Sequence, residues 1–317
     1  MFDHRRTAIR TTRSRFTEFP RVSLCNPGFV ADDQPRRPTR ARERAVALDD
    51  PSMDPGELAE LDLSSASAAR VYDYWLGGAN NFAVDREVGE KIVGAVPGVP
   101  AAARANRSFL RRAVLWCAAN GIDQFLDLGS GIPTVGNVHE VAQRGNPHAR
   151  VAYVDNEPVA VAHSRNLLRG DSRTTILKGD LRNVDEVCSA PEVTDLLDFD
   201  RPIALLTLLV LQYFPDTAHT AELVRQYWER LPAGSVHVLS HITADDPVID
   251  GREAARLSQA MTTPTHARDH DEVLALLGNA RLVDPGLVFA QNWRPSESDV
   301  EPQHSCVYAA IAHTDTK

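Results

Sequence analysis

Hydrophobic and polar positions change their period along this chain. Over residues 67–76 apolar and aromatic side chains recur at helical spacing and stop at Gly77-Gly78, which predicts a helix and its end. A second helix is predicted over 101–119, where Phe109, Leu110, Ala113, Val114 and Cys117 share one side and Asn120-Gly121 marks the stop. Beyond it the runs shorten. Residues 124–128 form an apolar run with one acid and end in Gly129-Ser130-Gly131, and 151–154 and 174–178 are similar runs rich in β-branched residues. Between these two, Asn156 as N-cap and Pro158 in the first turn open a helix to about Leu168, stopped by Gly170. Helical turns follow at 185–197, a strand at 203–209, a helix at 217–231 capped by Asp216, a strand at 235–240, and a helix from Asp269 to Leu277. Two last strands, 281–289 and 305–312, are separated by too few residues for a crossover helix and should pair antiparallel. The pattern predicts an α/β fold: a mostly parallel sheet, an antiparallel C-terminal hairpin and an N-terminal helical extension.

Three successive strands each deliver an acid to the same edge of that sheet: Asp127, Asp155 and Asp180. Open parallel sheets bind ligands there. Taken singly, each Asp also suits a helix cap or a turn. Together they describe a site. Asp127 directly precedes a glycine turn, where backbone without a Cβ can approach a ligand closely. A carboxylate at that place suits a ligand with hydroxyls and a positive charge better than a pyrophosphate, which points to S-adenosyl-L-methionine (SAM). Asp155 lies about one βαβ unit further on, where an acid takes ribose hydroxyls.

In order and spacing, residues 125–134, 153–158 and 179–181 resemble the cofactor segments of class I SAM-dependent methyltransferases. Ala69-Arg70-Val71-Tyr72-Asp73-Tyr74-Trp75-Leu76-Gly77-Gly78-Ala79-Asn80-Asn81-Phe82, with 83–86, 105–110 and 136–140, narrows this. These segments resemble the actinobacterial S-adenosyl methyltransferase family once called DUF574, from about Ser64 to the C-terminus. The resemblance implies a Rossmann-like core over 121–317, a helical segment over 63–120, and SAM as cofactor. Carried over by position, Asp127, Gly129 and Gly131 line the methionine part, with Ser130 between them. Asp155 holds the ribose, with Asn156 beside it, Asp180 faces the adenine amine and Leu181 flanks the ring. One departure is Gln212, where many relatives have His, so no base is assigned there.

Further candidates come from residue chemistry. Tyr72 and Asn81 are expected in the pocket, Tyr72 through its aromatic face and Asn81 through its amide. Tyr74 and Trp75 offer aromatic faces to the sulfonium or the acceptor as well, and for Trp75 packing on the sheet edge fits equally well. Arg107, with Arg104 one turn away, is a candidate for the cofactor's carboxylate, surface charge being the alternative. A sulfonium methyl is already activated, so positioning alone can supply about 7–11 kcal/mol of the barrier. A base would add roughly 10²–10⁴-fold. Tyr72, His139, Tyr213 and His241 are the candidates, and the catalytic residue is left unassigned. His139 reads as a packed or capping residue and His241 as a solvated strand-end histidine.

Composition narrows the partners. The formal charge is −9, which disfavours nucleic acid, and no apolar run reaches the roughly 18 residues of a membrane span. The four cysteines show no CxxC pair and the histidines no HExxH, so no metal is expected, and a cytoplasmic location is the default. Residues 1–52 hold 11 Arg against 7 acids, are proline-rich and lack periodicity. Residues 1–62 are therefore expected to be disordered, with Met53 as an alternative start. Two other functions stay open. A nicotinamide-dependent oxidoreductase would want a third glycine where Thr134 stands, after Pro133. A SAM-binding regulator without catalysis fits Gln212. A small-molecule acceptor is expected, while its identity and the oligomeric state are not readable.

Overall fold

The computed structural model describes residues 64–133, 136–296 and 302–314. The disorder expected at 1–62, and Met53 as a start, lie outside these residues. Seven strands run β1 Gln124–Leu128, β2 Arg150–Asp155, β3 Thr174–Lys178, β4 Ala204–Leu208, β5 Val236–Ile242, β6 Val288–Phe289 and β7 Val307–His313. They form one sheet in the order β3-β2-β1-β4-β5-β7-β6. β1 to β5 are parallel, and β7 is antiparallel to both β5 and β6. The expected mixed sheet of the class I methyltransferase type is thus present.

Period-two alternation explains why the sheet is covered on both faces. Phe125, Leu206, Val238 and Ile311 pack into one core with Phe109 and Val114, while their neighbours Leu126, Leu205, Leu239 and Ala310 pack into the other with Tyr227 and Leu276. The helices supplying those faces are α1 Ala68–Trp75, α2 Ala83–Ala95, α3 Val99–Ala119, α4 Val138–Gly145, α5 Pro158–Leu167, α6 Val184–Ser189, α7 Pro191–Thr194, α8 Thr217–Arg230, α9 Gly251–Leu257 and α10 His270–Leu276.

Four local expectations are corrected. The cap of α5 is Glu157, not Asn156: the Glu157 carboxylate accepts the Ala160 N–H at 2.7 Å. Helices α2 and α9 were not anticipated, because Gly89 and Gly94 interrupt the first and the second is only seven residues long. Most of 281–289 is not strand. Asp284-Pro285-Gly286 turns there, with Gly286 at φ +89°, so only Leu282 bridges to Ala312 before pairing resumes at Val288.

The helical segment is tied to the sheet by a buried arginine. Arg70 Nε donates to Asp85 Oδ2 at 2.8 Å, its Nη1 to Glu157 Oε1 at 2.9 Å and its Nη2 to the Ser65 carbonyl at 2.8 Å. Asp85, fully buried, also accepts the N–H groups of Ser67 and Phe82. The α1–α2 unit and the start of α5 are therefore held by one guanidinium. Arg70→Met should destabilise the fold by about 3–5 kcal/mol in urea denaturation, because two carboxylates lose their buried counter-charge. Arg70→Lys should recover only part, lacking the planar fork. A loss below about 1 kcal/mol for the Met variant would show that Arg70 does not join the two parts.

Candidate functional site

The carboxyl ends of β1, β2 and β3 open on one cavity of about 640 Å³, lined by Asp127, Asp155 and Asp180 together with Gly129, Ser130, Gly131, Asn156 and Leu181. The two glycines meet different demands. Both have positive φ, +69° and +67°, but a Cβ on Gly129 would lie 2.3 Å from Val210 Cγ2, whereas one on Gly131 would meet nothing within 4 Å. Gly129 lets the turn pack down, and Gly131 leaves room above it. The Ser130 hydroxyl between them is buried and has no hydrogen-bond partner among the described residues.

Asp155 organises this turn. Its Oδ2 accepts the Gly131 N–H at 2.7 Å and its Oδ1 accepts the Glu157 N–H at 2.8 Å, so the turn after β1 is fastened to the turn after β2. Burial pushes its carboxyl up, against the pull of those backbone donors. Asp127 is more exceptional. It is 4% exposed, and burial pushes its carboxyl up to about 7; Arg107 opposes this rise and Asp155 adds to it. Arg107 lines the same cavity and donates from Nη2 to the Gly136 carbonyl at 2.8 Å. Arg104 is exposed and does not line the cavity.

Asp180 is placed differently. Arg182 grips it, Nε lying 3.0 and 2.9 Å from its two oxygens and the Arg182 N–H donating to Oδ1 at 2.9 Å. These bonds hold its carboxyl below the usual range. Leu181 lies beside it, its carbonyl accepting the Tyr227 hydroxyl at 2.7 Å.

Tyr72 also lines the cavity, within a continuous polar chain. Its hydroxyl donates to the Ala103 carbonyl at 3.1 Å and accepts from Asn106 Nδ2 at 3.0 Å. Asn106 Oδ1 accepts from Ser240 Oγ at 2.6 Å, and Ser240 Oγ accepts the Leu209 N–H at 3.1 Å. Leu209 sits at φ +52°, an uncommon conformation for a non-glycine residue, at the end of β4. Tyr213 lines the cavity too, and burial raises the pKa of both phenols.

Several candidates are not brought to the cavity. Asn81 turns away: its Nδ2 donates to Asp73 Oδ2 and to the Gly78 carbonyl, and its Oδ1 accepts from Arg86, so it shapes the loop between α1 and α2. His241 is buried rather than solvated. Its Nδ1 lies 2.7 Å from the Ile242 carbonyl, to which it must donate, and its Nε2 accepts from Arg268 Nη1 at 2.7 Å. With both nitrogens engaged and burial pushing the imidazole down to about 3, it cannot collect a proton from an acceptor. His139 packs on Tyr153, its Nδ1 and its backbone N–H both meeting the Tyr153 hydroxyl. Gln212 lines the cavity while its Oε1 accepts the Ile242 N–H at 3.2 Å.

The family model described as S-adenosyl methyltransferase matches residues 55–315. The chain belongs to this family. A methyltransferase family member's fold is also seen in two similar crystal structures. One is a provisionally named methyltransferase from Thermobifida fusca YX, 35% identical, covering 82% of this chain and 97% of its own, with a TM-score of 0.75. The other is a DUF574 family protein from Streptomyces avermitilis, 35% identical, covering 80% and 98%, with a TM-score of 0.76. No curated protein matches the sequence. In this family member the residues whose roles the sequence alone leaves unassigned are Arg70, Asn106, Glu157 and Ser240. Each acts through a partner distant in sequence, so no local spacing marks it. Among the described residues no cluster of His, Cys, Asp or Glu could hold a metal, and no helix is long and apolar enough to cross a membrane.

The Asp127 carboxyl makes stability depend on pH in an uncommon direction. Its folded pKa of about 7 exceeds the unfolded value near 4, so the folded chain binds more protons between these two and loses stability as pH rises through that window. Asp127→Asn should therefore raise stability at pH 8 by on the order of 2–4 kcal/mol in urea denaturation, and by nearly nothing at pH 4. A gain independent of pH would refute a buried, costly charge at this position.

Proposed function

We propose that this chain binds SAM along the β3-β2-β1 edge and transfers its methyl group to a small-molecule acceptor. The observation that carries this reading is the convergence of three strand-end carboxylates on one cavity beside a glycine turn with open space above Gly131. The donor set suits the cofactor. Asp127 meets its ammonium and Arg107 its carboxylate, a charge-assisted pair of contacts. Asp155 uses its remaining lone pairs for the ribose hydroxyls. Ser130 offers the hydroxyl that otherwise has no partner among the described residues. Asp180 turns part of its Arg182-bound carboxylate to the adenine amine, with Asn156 and Leu181 on either side. Asn81 has no part in this set.

When bound, SAM supplies a methyl group activated by the sulfonium. The protein's own work is to align the acceptor with that group and to exclude water. Tyr72 and Tyr213 stay protonated at neutral pH, since burial raises both phenols. Tyr72 keeps its proton on the Ala103 carbonyl, so it presents an aromatic face and a lone pair rather than a base. His241 is excluded by its two internal partners. Catalysis here rests on positioning.

Calorimetry with SAM and S-adenosylhomocysteine, with NADH as the control, tests the reading. Both adenosyl compounds should bind and NADH should not. Asp155→Ala should weaken S-adenosylhomocysteine by roughly 10²-fold, the loss of two hydrogen bonds to a charged group. Absence of uptake of either adenosyl compound would discard the proposal. The affinity of the unaltered protein for S-adenosylhomocysteine should rise from pH 6 to pH 8 as Asp127 ionises, by up to about tenfold per unit below its pKa near 7, and Asp127→Asn should flatten that profile.

A further inference from the structure

Charge is divided along the sheet. The charged side chains lining the cavity gather at the ends of β1, β2 and β3: Asp127, Asp155, Asp180, Arg182 and the Arg70–Glu157 pair, with Arg107, whose helix α3 packs on β4 and β7, turned toward them through the Gly136 carbonyl and its field at Asp127. The cavity continues under β4, β5 and β7. Because β7 runs antiparallel, with Val307 opposite Ile242, its first residues arrive at the same edge as the last residues of β4 and β5. This wing is lined by Leu208, Ile242, Val307, Ile92, Ala254 and Met261.

Three hydroxyls of the cavity lining beside the wing, those of Ser258, Thr262 and Thr265, are bonded to the protein, while Thr263 is exposed. Ser258 Oγ donates to the Ala255 carbonyl at 2.6 Å and lies 2.9 Å from Thr265 Oγ1, and Thr262 Oγ1 donates to the Ala66 carbonyl at 3.3 Å. Cys306 stays a neutral thiol, as burial pushes it up to about 12. Thr262 N–H also donates to the Ala66 carbonyl at 2.9 Å, joining the segment before α1 to the loop after α9 as a roof. Among the described residues no charged side chain other than those seven lines the cavity. An ion brought into the wing would lose hydration without gaining a counter-charge. Two inter-strand intervals separate β4 from β7, about 10 Å, which matches a molecule of one or two rings.

We propose that the methyl acceptor is an uncharged, predominantly apolar small molecule held under β4-β5-β7; this rests on the cofactor reading above. Three probes of one size and different charge decide it: 2-naphthol, 2-naphthoate and 2-naphthylmethylammonium, titrated by calorimetry into protein saturated with S-adenosylhomocysteine. The neutral probe should bind at least about tenfold more tightly than either ion. Ala254→Arg should weaken 2-naphthol by about tenfold or more and tighten 2-naphthoate, with S-adenosylhomocysteine affinity within about threefold of the unaltered protein as evidence that the variant is folded. Ala254→Leu, which fills the wing without adding charge, should weaken all three probes. Ions binding as well as 2-naphthol, or an Ala254→Arg protein that keeps S-adenosylhomocysteine and the original probe order, would overturn the acceptor class alone. Failure of S-adenosylhomocysteine to bind would overturn the cofactor reading and the acceptor assignment with it.

Discussion

The two oxygens of Asp155 fix where the cavity lies. One holds the glycine turn after β1 and the other holds the first residues of α5, so two loops that could move separately share a single anchor. From there the connection runs on. Glu157, next in this chain of contacts, caps α5 and receives Arg70, and Arg70 passes to Asp85, which gathers the backbone at the start of α1 and of α2. The β3-β2-β1 edge and the helical segment beside it are therefore one polar structure built from buried charges in pairs. Arrangements of this kind contribute little net stability against an apolar core but respond strongly to loss of one partner. What they supply is a single relative placement of turn, cap and cover.

That placement is kept at some cost. Asp127 is buried beside Asp155 with only the partial compensation of Arg107, and the Ser130 hydroxyl has no partner among the described residues. Leu209 sits in a conformation that non-glycine residues rarely adopt. All three line the same cavity. Local features that oppose folding, gathered at one place, are what a site shaped for a ligand rather than for stability looks like. The surrounding sheet, with apolar cores on both faces, carries the stability that such a place draws on.

The strands were legible because burial on both faces leaves short apolar runs, and the acids were legible because each ends such a run. Asp127, Asp155 and Asp180 could be placed on a common edge from spacing alone. Roles that depend on distant partners could not. Asn81 reads as a pocket amide until Asp73, Gly78 and Arg86 are seen around it, and His241 reads as a solvated strand end until Arg268 is found against its Nε2. Residues 281–289 have the composition of a strand, yet Asp284-Pro285-Gly286 enforces a turn inside it. The α9 helix and the roof over β5 and β7 were missed because short elements held by tertiary contacts leave a weak periodic signal.

Among the described residues, the carboxylates lining the cavity are Asp127, Asp155, Glu157 and Asp180, and no histidine joins them, so the half under β4, β5 and β7 carries no poised base of its own. A base that must ionise needs either solvent or a counter-ion, and the half of the cavity under β4, β5 and β7 is lined largely by apolar side chains, with the Ser258, Thr262 and Thr265 hydroxyls bonded to the protein. Tyr72 and Tyr213 border it with phenols that burial keeps protonated. Placing an ionised base among them would cost stability without a compensating partner. Gln212, a neutral side chain in the cavity lining, accords with that division of charge.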